Sequence, residues 1–287
     1  MRNLTISLLA GTLAFVLPTL LQAQTTTPST PEIPKHPWML PSPNNEHLTY
    51  FVNLQDGDVK ETPFVARFGL TMRRLVPAGK TAGTAVHHHL LINQDLPWDF
   101  KKPLPFTDQY IHFGKGQTEM VVDLPPGTYN FRLVLADKGH IPYFVYSKPL
   151  EVTVAKQNKT SRPESVQGAP RIELTGIASR EAIRPPFRMQ FHAGGMNVSD
   201  KSAKTPDTGH FKPTMEKAGQ KLETIAFTGG QTESWLNHPP GNYNLRLELV
   251  NNVSGKPMAT RAEAMPLTVN NTPALALLTT AARQPAG

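Results

Sequence analysis

Hydrophobic and polar positions along the chain alternate in short runs, without the three-to-four-residue rhythm of a helix. Tyr50 to Leu54, Phe64 to Leu70, Leu90 to Ile92, Thr118 to Leu124, Tyr129 to Leu135 and Leu150 to Val154 are such runs, rich in β-branched or aromatic residues and separated by Gly, Pro, Asn and Asp. No segment combines a sustained helical period with capping residues. Roughly six or seven short strands in about 105 residues, with Pro-Pro-Gly turns feeding a strand that opens on Tyr, predict a small sandwich of the immunoglobulin type.

The pattern occurs twice. Pro63-Phe64 returns as Pro186-Phe187, Phe68 as Phe191 and His87 as His210, at an offset of 123 residues. Gly116-Gln117-Thr118-Glu119 returns as Gly230-Gln231-Thr232-Glu233, and the segment Pro125 to Leu133 as Pro239 to Leu247, at an offset of 114, so the second copy is nine residues shorter between its His and its Gln-Thr-Glu. The chain therefore reads as all-β, two tandem immunoglobulin-like sandwich domains from an internal duplication. The first spans 46–156 and the second, degenerate copy 170–271. A Pro/Thr/Ser-rich tether (24–45) precedes them, a polar linker (157–169) separates them and a flexible tail (272–287) follows. Since Gln117 to Glu119 and the Pro-Pro-Gly turns persist in both copies, they are expected to serve the fold, Gln117 to Glu119 in a turn.

At the start of the chain, Arg2 precedes an apolar run from Leu4 to Leu21, with Leu21-Gln22-Ala23 at a cleavage point before Gln24. Residues 1–23 read as a secretory signal peptide; Pro18 and the polar stretch from Gln22 to Thr27 argue against a membrane anchor. Later in the chain nothing approaches the roughly 20 apolar residues of a membrane span, so no transmembrane segment is expected in the mature protein and its expected location is the periplasm. Among 287 residues there is no Cys, which excludes disulfides, thiolate zinc sites, iron–sulfur clusters and a Cys nucleophile. The net charge of +7 is spread singly or in pairs such as Arg73-Arg74 and Lys101-Lys102, so no basic stripe points to nucleic acid. There is no Gly-x-Ser-x-Gly elbow and no phosphate-cradling Gly-Lys-Ser/Thr loop, and no pair of acids stands out for glycoside cleavage. The chain reads as a non-enzyme, metal-assisted hydrolysis being the one catalytic route left open.

Candidate chemistry lies in the ten histidines, three of them consecutive, His87-His88-His89. Neighbours on a strand face opposite ways. The second copy has Phe211, Pro213 and Met215 at the positions of His88, Leu90 and Ile92, and Lys212 at that of His89, so His88 has core parity and His87 and His89 share the other face. His112, between Ile111 and Phe113, and His140, in a loop after a strand, complete a set of four, with Glu119 as an available carboxylate. Imidazoles two residues apart can reach one ion, and such a set suits copper or zinc. The alternative is that these histidines are structural, stiffening one end of the sandwich. His112 aligns with Ala226 and His140 with Ser254, so the set belongs to the first copy alone. Met189, His192, Met196, His210 and Met215 form a softer candidate set for Cu(I) in the second.

Four motifs carry a resemblance: His87-His88-His89-Leu90-Leu91-Ile92, the run His112 to Glu119, Leu124-Pro125-Pro126-Gly127, and Leu133 to Pro142 with its Asp137-Lys138-Gly139-His140 turn. Together they resemble a bacterial family of exported domains of unknown function, each roughly 90 residues long. The resemblance covers about Tyr50 to Val154 and is much weaker in the second copy. It implies an exported β domain and leaves the chemistry open. Two readings follow: a periplasmic protein binding copper or zinc through His87, His89, His112, His140 and Glu119, or a structural or ligand- and protein-binding module of the cell envelope. In the second, the loop Asn93 to Tyr110, with Trp98, Phe100 and Phe106, meets an unknown ligand or an envelope protein partner.

Overall fold

The computed structural model describes residues 36–270 except 44–46, 72, 81, 83, 84, 221, 222 and 262. The expected signal peptide, most of the tether and the expected tail lie outside the described residues. After a short β1 (Met39–Leu40), the first copy contains β2 (Thr49–Phe51), β3 (Asp58–Thr62), β4 (Phe64–Leu70), β5 (His87–Ile92), β6 (Tyr110–His112), β7 (Glu119–Val122), β8 (Gly127–Ala136), β9 (Pro142–Tyr146) and β10 (Leu150–Gln157). A short helix α1 (Pro163–Gln167) leads to β11 (Arg171–Thr175), β12 (Ala182–Ile183), β13 (Phe187–Gly194), β14 (Asn197–Val198) and β15 (Thr208–Glu216). Then come β16 (Glu223–Thr224), β17 (Glu233–Leu236), β18 (Gly241–Asn251), β19 (Pro257–Thr260) and β20 (Met265–Val269).

Each copy is built from two sheets. In the first, β2-β4-β7 forms one sheet and β3-β10-β8-β5-β6 the other, with β9 also on β8. In the second copy β11-β13-β17 and β12-β20-β18-β15 repeat that order, with β16 on β15 and β19 on β18. The copies agree residue by residue. His87 opposes Ala136 across β5 and β8, and His210 opposes Val250 across β15 and β18; Arg67 opposes Glu119, and Gln190 opposes Glu233. Tyr129 donates to the Pro125 carbonyl and Tyr243 to the Pro239 carbonyl, both at 2.9 Å, so the two Pro-Pro-Gly turns close with the tyrosine corner known from immunoglobulin-type sandwiches. The protein is thus all-β, two tandem immunoglobulin-like sandwiches related by duplication.

The halves are packed against each other. Phe68, Leu90, Phe131, Leu133 and Val152 form a buried cluster within the first sandwich. The larger cluster centres on Phe191, Phe211, Phe227 and Leu247 of the second, but takes in Leu70, Leu75, Val86, Leu135 and Val145 of the first. At the junction two pairs of hydrogen bonds are reciprocal. Leu75 N–H donates to the Gly230 carbonyl (3.3 Å), and its counterpart Val198 N–H to the Gly116 carbonyl (2.8 Å). Thr118 Oγ1 donates to the Ala193 carbonyl and Thr232 Oγ1 to the Leu70 carbonyl, each at 3.2 Å. Gly116 and Gly230 both have positive φ, and a Cβ on them would fall 2.2 Å from the Val198 carbonyl oxygen and 2.7 Å from that of Leu75. Gln117 and Gln231 cap their own turns, accepting from Lys115 N–H and Gly229 N–H at 2.8 Å. The repeated Gly-Gln-Thr-Glu is therefore the joint between the copies.

Two connecting segments are more ordered than their composition predicts. Met39 and Leu40, inside the stretch read as a tether, add β1 to β17 of the second copy, and Trp38 packs on His238 with ring centres 4.0 Å apart. The stretch read as a linker holds the end of β10 and α1, and its Gln167 donates to Glu119 at 3.3 Å.

Candidate metal centre

β5 presents His87 and His89 on the face that does not look into the sandwich. That face is not left to water. The loop between β5 and β6 folds back over it, and Leu91, Leu104, Val134 and Ala136 form a separate small cluster beneath, with Leu96 and Tyr110 packed on it. Both imidazoles are consequently fully buried. His112 enters from β6, directly opposite His89 in the ladder. His140 arrives from the turn after β8, with a φ of 64°, an uncommon backbone conformation for a residue with a side chain. The turn is held by Asp137, whose Oδ1 accepts from Gly139 N–H (2.8 Å) and Ile141 N–H (3.0 Å). The covering loop is tied to the same turn by Leu104 N–H, which donates to the His140 carbonyl at 2.9 Å.

The four imidazoles converge so that one ligand nitrogen from each lies within 4.8 Å of all the others. His87 Nε2 is 3.1 Å from His89 Nε2 and 3.2 Å from His140 Nδ1. Nitrogens bound to a tetrahedral zinc ion at ~2.0–2.1 Å lie about 3.3–3.4 Å apart, so these spacings match one edge after another of such a site. The widest separation exceeds that by up to about 1.5 Å and involves His112 or His140, the two half-buried rings. An all-imidazole donor set serves zinc and copper(II) alike. A single Nε2 proton on His87 can satisfy only one of its two nitrogen neighbours, and His87 Nδ1, His89 Nδ1 and His112 Nε2 are buried with no hydrogen-bond partner among the described residues. A cation shared by the four rings relieves the first conflict. The unpartnered Nδ1 atoms mean that packing, with no carboxylate behind the rings, sets their orientation.

Burial, reinforced by the neighbouring imidazoles, holds His87 down to about 3 and His89 to about 2, and it lowers His112 as well. His87 and His89 are therefore neutral and ready to donate lone pairs well below the usual titration of histidine. Two further residues shape the outer side. An ideal Cβ on Gly114 would lie 2.2 Å from His112 Cε1, so glycine is needed for that ring to lie flat on the chain. Phe106, 63% exposed, stands edge-on over His112 and His140 at centroid distances of 5.5 and 4.7 Å.

The structure separates one candidate from the rest. Glu119 lies in β7, in the other sheet, and faces the joint between the copies: it accepts from Gly195 N–H (3.0 Å) and pairs with His192 Nε2 (2.9 Å) and Arg171 (3.3 Å). Burial alone would raise its carboxyl, yet these partners leave it below the usual carboxylate range. It is a structural ion-pair residue, outside the imidazole group. His88 turns inward, its ring 4.8 Å from that of Phe68 and its Nε2 3.4 Å from the Gly69 carbonyl, and burial holds it down to about 4. The softer second-copy set does not assemble: Met189 and Met215 sit in the core, His192 is taken by Glu119, and His210 Nδ1 pairs with Asn252 Oδ1 at 2.8 Å. Sequence reasoning passed over Asp137 and Gly114. The first had a visible signal, since Asp two residues before Gly favours a turn closed by its own side chain.

The chain is similar, at low identity, to several solved structures. These include fibronectin(III)-like modules of CbhA from Clostridium thermocellum (11% identity over 78% of this chain and 95% of that one, TM-score 0.24). Chicken CNTN1 FN1-FN3 domains match at 10% identity over 75% of this chain and 66% of that one, with a TM-score of 0.21. The chicken interferon gamma receptor alpha chain matches at 9% over 78% and 97%, with a TM-score of 0.23. The fold assignment rests on strand order and register, not on these scores. No curated protein matches the chain. The family model described as Domain of unknown function (DUF4399) matches twice, over residues 66–155 and 189–270, one match in each sandwich, and the chain belongs to that family.

Proposed function

We propose that the first copy holds one copper(II) or zinc(II) ion through His87, His89, His112 and His140, in an exported periplasmic protein that binds the ion and catalyses no reaction of its own. The observation that carries this reading is the meeting of four imidazoles, from two neighbouring strands and a turn, with ligand nitrogens within 4.8 Å of one another and no carboxylate among the described residues joining the group. Nitrogen-only donors disfavour magnesium and calcium, which take oxygen ligands. Export is supported by the sequence of residues 1–23.

The test is metal analysis of protein purified from the periplasm without an affinity His tag. One copper or zinc per chain is expected, on a polypeptide beginning at Gln24, and His88→Phe retains it because that ring points into the sandwich. Protein that comes out metal-free and takes up neither ion on titration at neutral pH overturns the reading.

A further inference from the structure

The loop that covers the imidazoles also builds a second surface on which nothing so far depends. Trp98 at its tip is fully exposed. Phe100 stacks on Phe144 of β9, with ring centres 4.2 Å apart and planes within 9° of parallel, while Phe144 keeps 78% of its surface open. Together with Arg132, Asp95 and Asp99 they line an open cleft of about 630 Å³. Exposed aromatic faces grouped around one cleft are a cost to a domain in water unless something stacks on them.

Arg132 gives the cleft its chemistry. Its counterpart in the second copy, Arg246, has an acid partner, Glu216, at 3.9 Å. The residue equivalent to Glu216 in the first copy is Asn93, where the longer loop begins. Arg132 accordingly makes no ion pair among the described residues, and its Nε is buried with no hydrogen-bond partner. The guanidinium calls for a carboxylate or a comparable acceptor. Asp95 and Asp99 accept hydrogen bonds and cannot donate them, and although Asp99 already takes Lys101 N–H at 2.9 Å and lies 3.7 Å from Lys102 Nζ, lone pairs are left for donors that the same ligand must bring. A flat apolar face, a carboxylate and hydroxyl donors on one ring describe an acidic sugar.

We infer that this cleft is a binding site for acidic glycans, a uronate ring stacking on Trp98 and Phe144 while its carboxylate meets Arg132 and its hydroxyls meet Asp95 and Asp99. An aromatic acid lacks the donors, and a neutral glycan leaves Arg132 unpaired. The site is independent of the ion.

Calorimetric titration of the mature protein, in chelator and at physiological salt, tests this with hexagalacturonate, cellohexaose and hexaglutamate. Hexagalacturonate is expected to bind at least tenfold more tightly than the other two. Trp98→Ala weakens it by about three- to tenfold, and because Trp98 touches so little of the fold the variant keeps the native structure. Arg132→Gln removes the preference over cellohexaose. No binding of hexagalacturonate, equal binding of hexaglutamate, or an affinity unmoved by Trp98→Ala each overturns the inference. The last two identify simple attraction of polyanions to a basic chain.

Discussion

β5 and β15 occupy the same place in their sandwiches and pair with β8 and β18 in the same register, yet their outer faces carry different chemistry. In the first copy His87 and His89 lie sealed beneath a loop, with His112 and His140 closing the group. In the second, Lys212 stands where His89 would be and reaches Glu248 at 3.0 Å, His210 is held by Asn252, and the covering loop is nine residues shorter. The frame is shared because the inward residues, the tyrosine corners and the joint are shared. The outward face owes the core nothing, so it can carry four converging imidazoles in one half and a surface ion pair in the other. Loop length decides which: a covered face must be neutral or coordinated, whereas an open one tolerates a lysine.

The comparison breaks most sharply if the first copy is given the second copy's residue. His89→Lys places a cation among the remaining imidazoles and should lower copper or zinc affinity by more than about 100-fold, the upper range for loss of a supporting residue alone. Equilibrium competition against a chelator of known affinity measures it, and unchanged binding removes His89 from the site. A smaller effect is expected from Gly114→Ala, which pushes His112 off its seat without touching a donor; about 10- to 100-fold weaker binding is expected, with the fold intact by circular dichroism. Equal affinity in that variant would mean that His112 contributes nothing.

A third effect sharpens the comparison through protons. Unfolded, His87 and His89 titrate near 6.5, but folded they are held down to about 3 and about 2. Between those values the unfolded chain binds more protons than the folded one, so stability falls as the pH drops below about 6.5, by up to roughly 1.4 kcal/mol per pH unit for each histidine. Denaturant unfolding of the metal-free protein at pH 7 and pH 5 should show this loss, and His87→Ala should reduce the difference. For the same reason metal retention should extend below pH 6.5, where a free imidazole already gives up its metal ion to protons. Stability that is flat from pH 7 to pH 5 would show that the two rings are not buried in solution.

Much of this was legible in the sequence. Strand periodicity and the two offsets located both sandwiches, because inward residues must alternate and a repeat fixes which ones they are. Strand parity likewise separated His88 from His87 and His89. What escaped was whatever depends on surfaces meeting. Glu119 follows His112 closely in sequence, but the chain changes sheets between β6 and β7, and the carboxylate ends at the joint. Nothing in one strand's pattern announces that a distant face will cover it. The burial of His87 and His89 beneath the loop, and the ordering of β1 and α1, were hidden for the same reason.

The reciprocal hydrogen bonds at the joint have a consequence for how the two halves are free to change. The Leu75 and Thr118 contacts of one copy are returned by the equivalent Val198 and Thr232 of the other, an arrangement like the interface of a two-fold homodimer. In a true homodimer every substitution appears twice, on both subunits at once. Joining the subunits in one chain removes that constraint: a residue such as His89 can stand alone while its twin becomes Lys212, so long as Gly116, Thr118, Gly230 and Thr232 keep the two faces matched. One half is thereby released to serve as scaffold while the other specialises.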